Sequence, residues 1–228
     1  MKEISIIIPA HNEQDNLKIL IPDMLNVFAG QDYEIVIVNN ASTDDTQKVI
    51  DDFKLKNPRL LSVIEPKLGY GGAVLTGLEK SQGHFLGIIR ADNQEKPEDM
   101  LKMFEHCLKN NIEFCKAVRK SRRSEGYIRV VTTKVYNLLF KIFFNIPVRD
   151  INATPKIFSR KFYNEAKLQS KDWFIDAEMV IRANDLKYKM TEFEIEYRPR
   201  MKGKTSVKPS HVFQFLRNML HWRSTRNN

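Results

Sequence analysis

The sequence predicts an α/β fold built on a doubly wound, mainly parallel sheet with helices on both faces. Three observations carry this. Nearly continuous apolar runs recur at Ile4–Ile8, Tyr33–Val38, Leu60–Ile64 and Phe85–Ile89, as expected of strands covered on both sides. Helical patterns with short connections separate them, which is the alternation of successive β-α units. Three of the runs stop at polar turns, Pro9–Glu13, Asn39–Asp44 and Arg90–Gln94. A parallel sheet sets such turns along one edge, where open α/β sheets bind ligands.

Taken in order, the strand at Ile4–Ile8 breaks at Pro9, and Asn12-Glu13 leads into a helix with Leu17, Leu20, Ile21, Met24, Leu25 and Phe28 on one side. After Tyr33–Val38, Ser42 or Thr43 is placed to cap a helix whose apolar face is Val49, Ile50 and Phe53. A third strand, Leu60–Ile64, precedes the glycine-rich turn Lys67-Leu68-Gly69-Tyr70-Gly71-Gly72-Ala73 and a helix running through Leu78. The fourth strand, Phe85–Ile89, delivers Asp92 and Gln94 to its C-terminal end. Pro97, Glu98 and Asp99 then suit the first turn of a helix, where a missing N–H costs nothing and acids complement the dipole.

The second half is less regular. Lys116–Arg129 holds six basic residues against Glu125 alone and reads as a mobile loop. Val135–Phe144 reads as an apolar helix, Lys156–Phe158 and Phe193–Tyr197 as strands, and Asp176–Asn184 as a helix between them. The basic loop Arg198–Lys208 leads into a last helix over Ser210–Arg223, with Val212, Phe213, Leu216, Met219 and Leu220 as its apolar residues.

The 228 residues suit one domain. It divides into a regular β-α half (1–115), a less regular half (116–208) and a C-terminal basic amphipathic helix (209–228). A formal charge of +9 points to an anionic partner: nucleic acid, a lipid headgroup or a phosphorylated small molecule. No RRM, KH, zinc-finger or helix-turn-helix signature is present, which argues against nucleic acid. Two cysteines, Cys107 and Cys115, without CxxC or a histidine cluster, argue against a disulfide framework or structural zinc and for a reducing cytoplasm. Met-Lys-Glu followed directly by a strand leaves no secretory leader, and no apolar run reaches the roughly 18 residues that span a bilayer.

The ordered series Ile6-Ile7-Ile8-Pro9-Ala10-His11-Asn12-Glu13, Val38-Asn39-Asn40-Ala41-Ser42-Thr43-Asp44, Gly69-Tyr70-Gly71-Gly72-Ala73 and Ala91-Asp92-Asn93-Gln94 resembles family 2 glycosyltransferases of GT-A fold. Within them it is similar to the dolichyl- or polyprenyl-phosphate mannose synthase group. Asp150-Ile151-Asn152-Ala153-Thr154-Pro155-Lys156 and Asp176-Ala177-Glu178 extend the likeness, which covers residues 4 to about 208. Each motif alone is weak; their order and spacing are specific.

The resemblance implies an inverting transfer of a sugar from a nucleoside-diphosphate donor to an acceptor. It assigns Pro9, Ala10, His11, Asn12, Glu13, Asn39, Asn40, Ser42, Gly71, Arg90 and Ala91 to the nucleotide, with the glycine turn letting backbone come close to the ligand. It also implies an Asp-x-Asp element holding Mg²⁺ or Mn²⁺ against the diphosphate. Here the first position is Arg90, which leaves Asp92 and, at the third position, Gln94 as metal ligands. The paired acids usual at the second strand's end are likewise Asn39 and Asn40. Arg90 admits two readings: its guanidinium lies against the diphosphate in place of metal charge, or it pairs with an acid such as Glu95 and leaves the metal to Asp92 and Gln94.

On the acceptor side, the resemblance places Arg129 and Thr133 on an acceptor phosphate, with Asn137 a helical turn later, and Arg200 and Lys204 in a donor-phosphate flap. Val135–Phe144 and the basic last helix then suit either a membrane surface or packing against the domain or a second subunit. A polyprenyl phosphate acceptor at the cytoplasmic membrane face needs no strong base, being already ionised. A saccharide or other hydroxyl acceptor needs one. Asp150 is then the first candidate, with Asp176 and Glu178 behind it; bracing of the loop before Lys156 is the competing role for Asp150. A nucleotide-sugar-binding paralogue without catalysis is the remaining alternative.

Overall fold

The computed structural model describes residues 2–120, 127–198 and 210–226, and in the two long helices of the second half the side chains of 135–144 and 215–224. The first half alternates as the sequence predicts: β1 (Ile4–Ala10), α1 (Gln14–Val27), β2 (Tyr33–Asn40), α2 (Thr46–Lys54), β3 (Leu60–Glu65), α3 (Tyr70–Lys80), β4 (Phe85–Ile88) and α4 (Pro97–Asn110). The second half adds β5 (Phe114–Arg119), α5 (Tyr127–Phe144), β6 (Lys156–Ser159), α6 (Arg160–Ala166), α7 (Ile175–Asp185), β7 (Met190–Ile195) and α8 (Ser210–Arg226).

The strands form one seven-stranded sheet in the order β3-β2-β1-β4-β6-β5-β7. Every pairing is parallel except the two made by β6. Ile6, Ile8, Ile35 and Ile37 face α1 and α4, packing on Leu17, Leu20, Met24, Met100 and Phe104. Ile7, Val36, Val38 and Ile88 face the other way, onto Val74 and Leu78 of α3 and Ile175 and Met179 of α7. Apolar faces on both sides of one strand explain why β1 reads as an unbroken run. A third cluster joins Phe140 and Phe144 of α5 to Val180 and Ile181 of α7 and Met219 of α8.

Three local expectations are corrected. Residues 116–119, read as part of a loop, are the end of β5, and Lys116 is the reason. Its side chain is fully buried inside the strand and hides an otherwise apolar pattern; the ammonium donates to Arg149 O at 2.6 Å and Ala117 O at 3.1 Å. The last strand lies three residues earlier than predicted, at Met190–Ile195 instead of Phe193–Tyr197. α6 went unread, although Ser159 caps it by accepting the Phe162 N–H at 3.0 Å.

Candidate active site

Because β2, β1 and β4 are adjacent and parallel, the turns that follow them share one edge of the sheet. The first two are interlaced. The His11 ring lies 2.7 Å from Asn40 O through Nδ1, Asn12 N–H donates to Ser42 Oγ at 3.0 Å, and Thr43 N–H donates to Asn12 Oδ1 at 2.8 Å. Glu13 N–H donates to Thr46 Oγ1 at 2.9 Å. Asn12 takes φ 56°, a left-handed conformation that asparagine tolerates better than most residues. Ser42 and Thr43 therefore tie the two turns together instead of capping α2; the N-cap position is Asp45, which makes no side-chain cap bond, and Asp44 closes the turn before it by accepting Thr46 N–H at 3.0 Å.

The two asparagines at the end of β2 have a structural account. Asn40 Nδ2 donates to Lys67 O at 2.8 Å and Glu65 O at 3.3 Å while Oδ1 accepts Gly69 N–H at 2.9 Å. Asn39 accepts Ser42 N–H at 3.2 Å and donates to Gln47 Oε1 at 2.8 Å. A carboxylate at either buried position would bring an acceptor against an acceptor, so the amide is what this local network requires.

The turn after β4 carries the central cluster. Arg90 points away from the sheet edge's open side and into Glu95, donating from Nε at 2.8 Å and Nη2 at 2.5 Å to Oε1, while its own N–H reaches Oε2 at 3.1 Å. Thr154 Oγ1 donates to the same Glu95 oxygen at 2.8 Å, and the Tyr197 ring lies 5.4 Å from the guanidinium. Burial raises the proton affinity of Glu95, with Arg90 opposing it. Of the two readings of Arg90, the pairing with Glu95 that belongs to the second is the one observed. Asp92 is 6% exposed and accepts Gln94 N–H at 3.3 Å. Asn93, at φ 58°, donates to Asn16 O at 2.9 Å, and Asn16 in turn donates to Glu13 Oε2 at 2.5 Å. This chain locks the Asp92 turn to the start of α1. Gln94 O accepts Arg198 N–H at 2.8 Å, so the turn also anchors the segment that enters the basic loop.

The glycine turn meets protein backbone. A Cβ at Gly71 would sit 2.3 Å from Ser170 O and 2.5 Å from Asp172 O, and Gly72 N–H donates to Lys171 O at 3.0 Å. Close approach of 170–172 accounts for the glycine. That segment is itself held by Glu178, which accepts Gln169 N–H at 2.9 Å and Ser170 N–H at 2.7 Å.

In the second half of the chain, Lys116 and Lys156 face each other across β5 and β6, both fully buried. Lys156 donates to Ala153 O at 2.8 Å and to Asp176 Oδ1 at 2.5 Å. With Lys116 on Arg149 O, the two ammonium groups hold the 149–153 loop from beneath. Burial pushes Asp176 up and Lys156 down from their ordinary values, with each partner opposing the shift. Asp150, at φ 48°, accepts both Arg119 Nε at 2.7 Å and Nη2 at 2.6 Å. Its geometry is that of a brace, the role that competed with base catalysis. Arg119 and Lys116 were not singled out from sequence, because the run that contains them looked like a loop. Of the remaining candidates, Arg200 and Lys204 lie outside the described residues, as do the side chains of Arg129 and Thr133.

The chain is thus an α/β protein in the GT-A arrangement, with the turns after β1, β2 and β4 gathered at the C-terminal ends of its parallel strands. The chain belongs to glycosyl transferase family 2, whose profile matches residues 5–169. It is 23% identical over 90% of its length to glycosyltransferase AglD of Haloferax volcanii, and 26% identical over 95% to a dolichol-phosphate mannosyltransferase of Pyrococcus furiosus. The chain spans 34% and 62% of those relatives' lengths. In fold it is similar to glucosyl-3-phosphoglycerate synthase from Mycobacterium tuberculosis in complex with Mn²⁺, UDP-glucose and phosphoglyceric acid. That likeness has a TM-score of 0.76 at 16% identity, covering 98% of this chain and 80% of that one. Another structure of the synthase, with Mg²⁺ and UDP, gives a TM-score of 0.77. Among the described residues no helix is long and apolar enough to cross a membrane.

Proposed function

We propose that this chain binds a nucleoside-diphosphate sugar along the shared strand edge and transfers the sugar, with inversion, to a polyprenyl phosphate at a membrane surface. The observation that carries the reading is that the turns after β1, β2 and β4 share one edge of the sheet, with the buried Asp92 in the turn after β4. Pro9, Ala10, His11, Asn12 and Glu13 with Asn39, Asn40 and Ser42 make the nucleoside wall, and Ala91 the step toward the diphosphate. Asp92 and Gln94 offer a carboxylate and an amide oxygen. Two protein donors suit Mg²⁺ or Mn²⁺, which accept waters and phosphate oxygens for the rest. Such an ion neutralises charge that builds on the leaving diphosphate. The chain's own work is to fix the donor by interlaced turns and to keep Arg90 compensated beside it. The in-line approach of the acceptor then owes most of its rate to positioning.

Support for a lipid acceptor comes from the dolichol-phosphate mannosyltransferase relative and from α5. Val135, Leu138 and Ile142, at helical spacing, are 50%, 57% and 63% exposed, beside exposed Lys141 and Arg223. Neither α5 nor α8 contains an acid. An apolar stripe with only basic neighbours fits an anionic lipid surface.

A hydroxyl acceptor is favoured by one observation: Asp176 sits at the start of α7 with its proton affinity raised by burial and its second oxygen without a hydrogen bond among the described residues. In that case Asp176, not Asp150, takes the proton.

Thermal shift with nucleoside diphosphates and sugar nucleotides, with and without Mn²⁺, tests donor binding; no shift with any of them overturns the whole reading. Turnover with a preferred donor then separates acceptors. Transfer to polyprenyl phosphate in vesicles is expected, transfer only to saccharides replaces it with the second reading, and donor binding without turnover identifies a binding paralogue.

A further inference from the structure

α7, α8 and the 169–172 segment line an open cavity of about 510 Å³, and none of its lining residues belongs to the proposed donor site. That volume is within the range of small-molecule sites. Arg182, Lys171, Asp172, Asp185, His221 and Trp222 are among its lining residues. The Arg182 guanidinium lies 4.8 Å from the Trp222 ring centre, stacked where an aromatic face fixes its plane. Its Nε is enclosed and has no acceptor, and no ion pair involves this side chain among the described residues. An acid lines the same cavity without answering it: Asp172 accepts Phe174 N–H at 2.8 Å through Oδ1 and Asn218 Nδ2 at 2.8 Å through Oδ2. A half-buried cation with an unanswered N–H is costly unless an acceptor comes from outside the chain.

We infer that this cavity is a second ligand site, taking a small polar molecule through one carboxylate or phosphate group held by Arg182 and Lys171. The class follows from charge. The open donor is the Arg182 Nε–H, with the Lys171 ammonium in the same lining, while Asp172 and Asp185 oppose further negative charge, so the cavity suits a single anionic group and not a nucleoside diphosphate. Lys171 is exposed at the mouth, whereas Arg182 lies deeper against Trp222. The same 170–172 backbone packs on Gly69 and Gly71, so a ligand here would brace the segment beneath the glycine turn.

The test is thermal unfolding in inorganic phosphate or acetate against chloride at matched ionic strength, without divalent metal. A tenfold excess of either anion over its dissociation constant is expected to raise the wild-type midpoint by about 2–4 °C. Arg182→Met abolishes the rise, and Lys171→Ala, at an exposed position that the fold does not depend on, reduces it. No rise in the wild type, or an equal rise in both variants, overturns the site. The shift given by Mn²⁺ and a nucleoside diphosphate is read in the same proteins. Its retention in Arg182→Met keeps failure here distinct from failure of the transferase reading.

Discussion

Two N–H groups of Arg90 close on one oxygen of Glu95, at 2.8 and 2.5 Å, and a third hydrogen bond from Thr154 reaches the same atom at 2.8 Å. The resemblance leads one to expect a metal-binding acid where Arg90 stands. The arginine's charge is instead compensated five residues further on, so the turn carries no uncompensated arginine beside Asp92. Position 90 is part of the scaffold of this turn.

The first prediction concerns that pair. Glu95→Gln leaves the guanidinium without its counter-charge, and Arg90 is 20% exposed at the side chain, so solvent screens part of the loss. The expected cost is about 2–3 kcal/mol of unfolding free energy, toward the lower end for breaking a buried pair. The double variant Arg90→Met/Glu95→Met should recover most of it, since neither charge is then stranded. Urea unfolding of Arg90→Met, Glu95→Met and the double variant measures this, with Glu95→Gln beside them. Strict additivity would mean the pair is not coupled.

Asp92→Asn removes the one carboxylate of the proposed Asp92–Gln94 ligand set and keeps the side-chain shape. The fold should change by less than about 1 kcal/mol, since the replacement can still accept Gln94 N–H. Stabilisation by a nucleoside diphosphate should lose its Mn²⁺ dependence, and turnover should fall by at least about 100-fold. EDTA should bring wild-type turnover to the same level. Metal-independent turnover in the wild type would remove the cation from the mechanism.

Much of the fold was legible, and what was missed has physical reasons. β1, β2 and β4 announced themselves because both faces of each are covered, so apolar residues run almost without interruption; β3, at the sheet edge with Ile64 62% exposed, was read from its apolar run alone. β5 was hidden by Lys116, whose burial depends on carbonyls of the 149 loop and on Glu192 at 3.8 Å, none of them near it in sequence. The site was legible in the same uneven way. The placement of Asp92 and the 9–13 turn at the sheet edge could be read from local pattern, whereas the partner of Asp150 depends on a contact between distant segments. Glu95 is close in sequence and was readable as a partner. Arg119, 31 positions before Asp150, was not.

The glycine turn gives a contrasting pair. Alanine at Gly71 places its Cβ 2.3 Å from Ser170 O and 2.8 Å from Lys171 C, and backbone on that side is held by Glu178, so it has little room to move. A cost of about 2–3 kcal/mol is expected from overpacking. At Gly72 the nearest atoms are 3.9 and 4.0 Å away, an ordinary contact, and the residue lies within α3. Gly72→Ala should therefore be neutral or stabilising by up to about 1 kcal/mol. Thermal midpoints of the two variants should fall on opposite sides of the wild type, or at least several degrees apart. Equal midpoints would contradict the packing at Gly71.

The last prediction turns the buried Lys116 into a pH dependence. Burial lowers its pKa from 10.5 to about 8, with Lys156 adding to the shift and Glu192 opposing it. Between those values the unfolded chain keeps a proton that the folded chain has released. The unfolded state therefore binds more protons, and stability rises with pH through this window. Below pH 8 the protonated lysine is buried at its full cost. Other groups act the opposite way at higher pH: burial raises Tyr136 and Tyr197, so the unfolded chain loses their protons first and stability falls above about pH 10. Comparing wild type with Lys116→Met cancels those shared contributions. From pH 7.5 to 9.5 the wild type should gain about 2 kcal/mol relative to the variant, at 1.36 kcal/mol for each pH unit above the folded pKa. Urea midpoints at the two pH values provide the measurement. Parallel curves would place the Lys116 pKa outside this window, and a wild type that loses stability relative to the variant would mean that Lys116 gains proton affinity on folding.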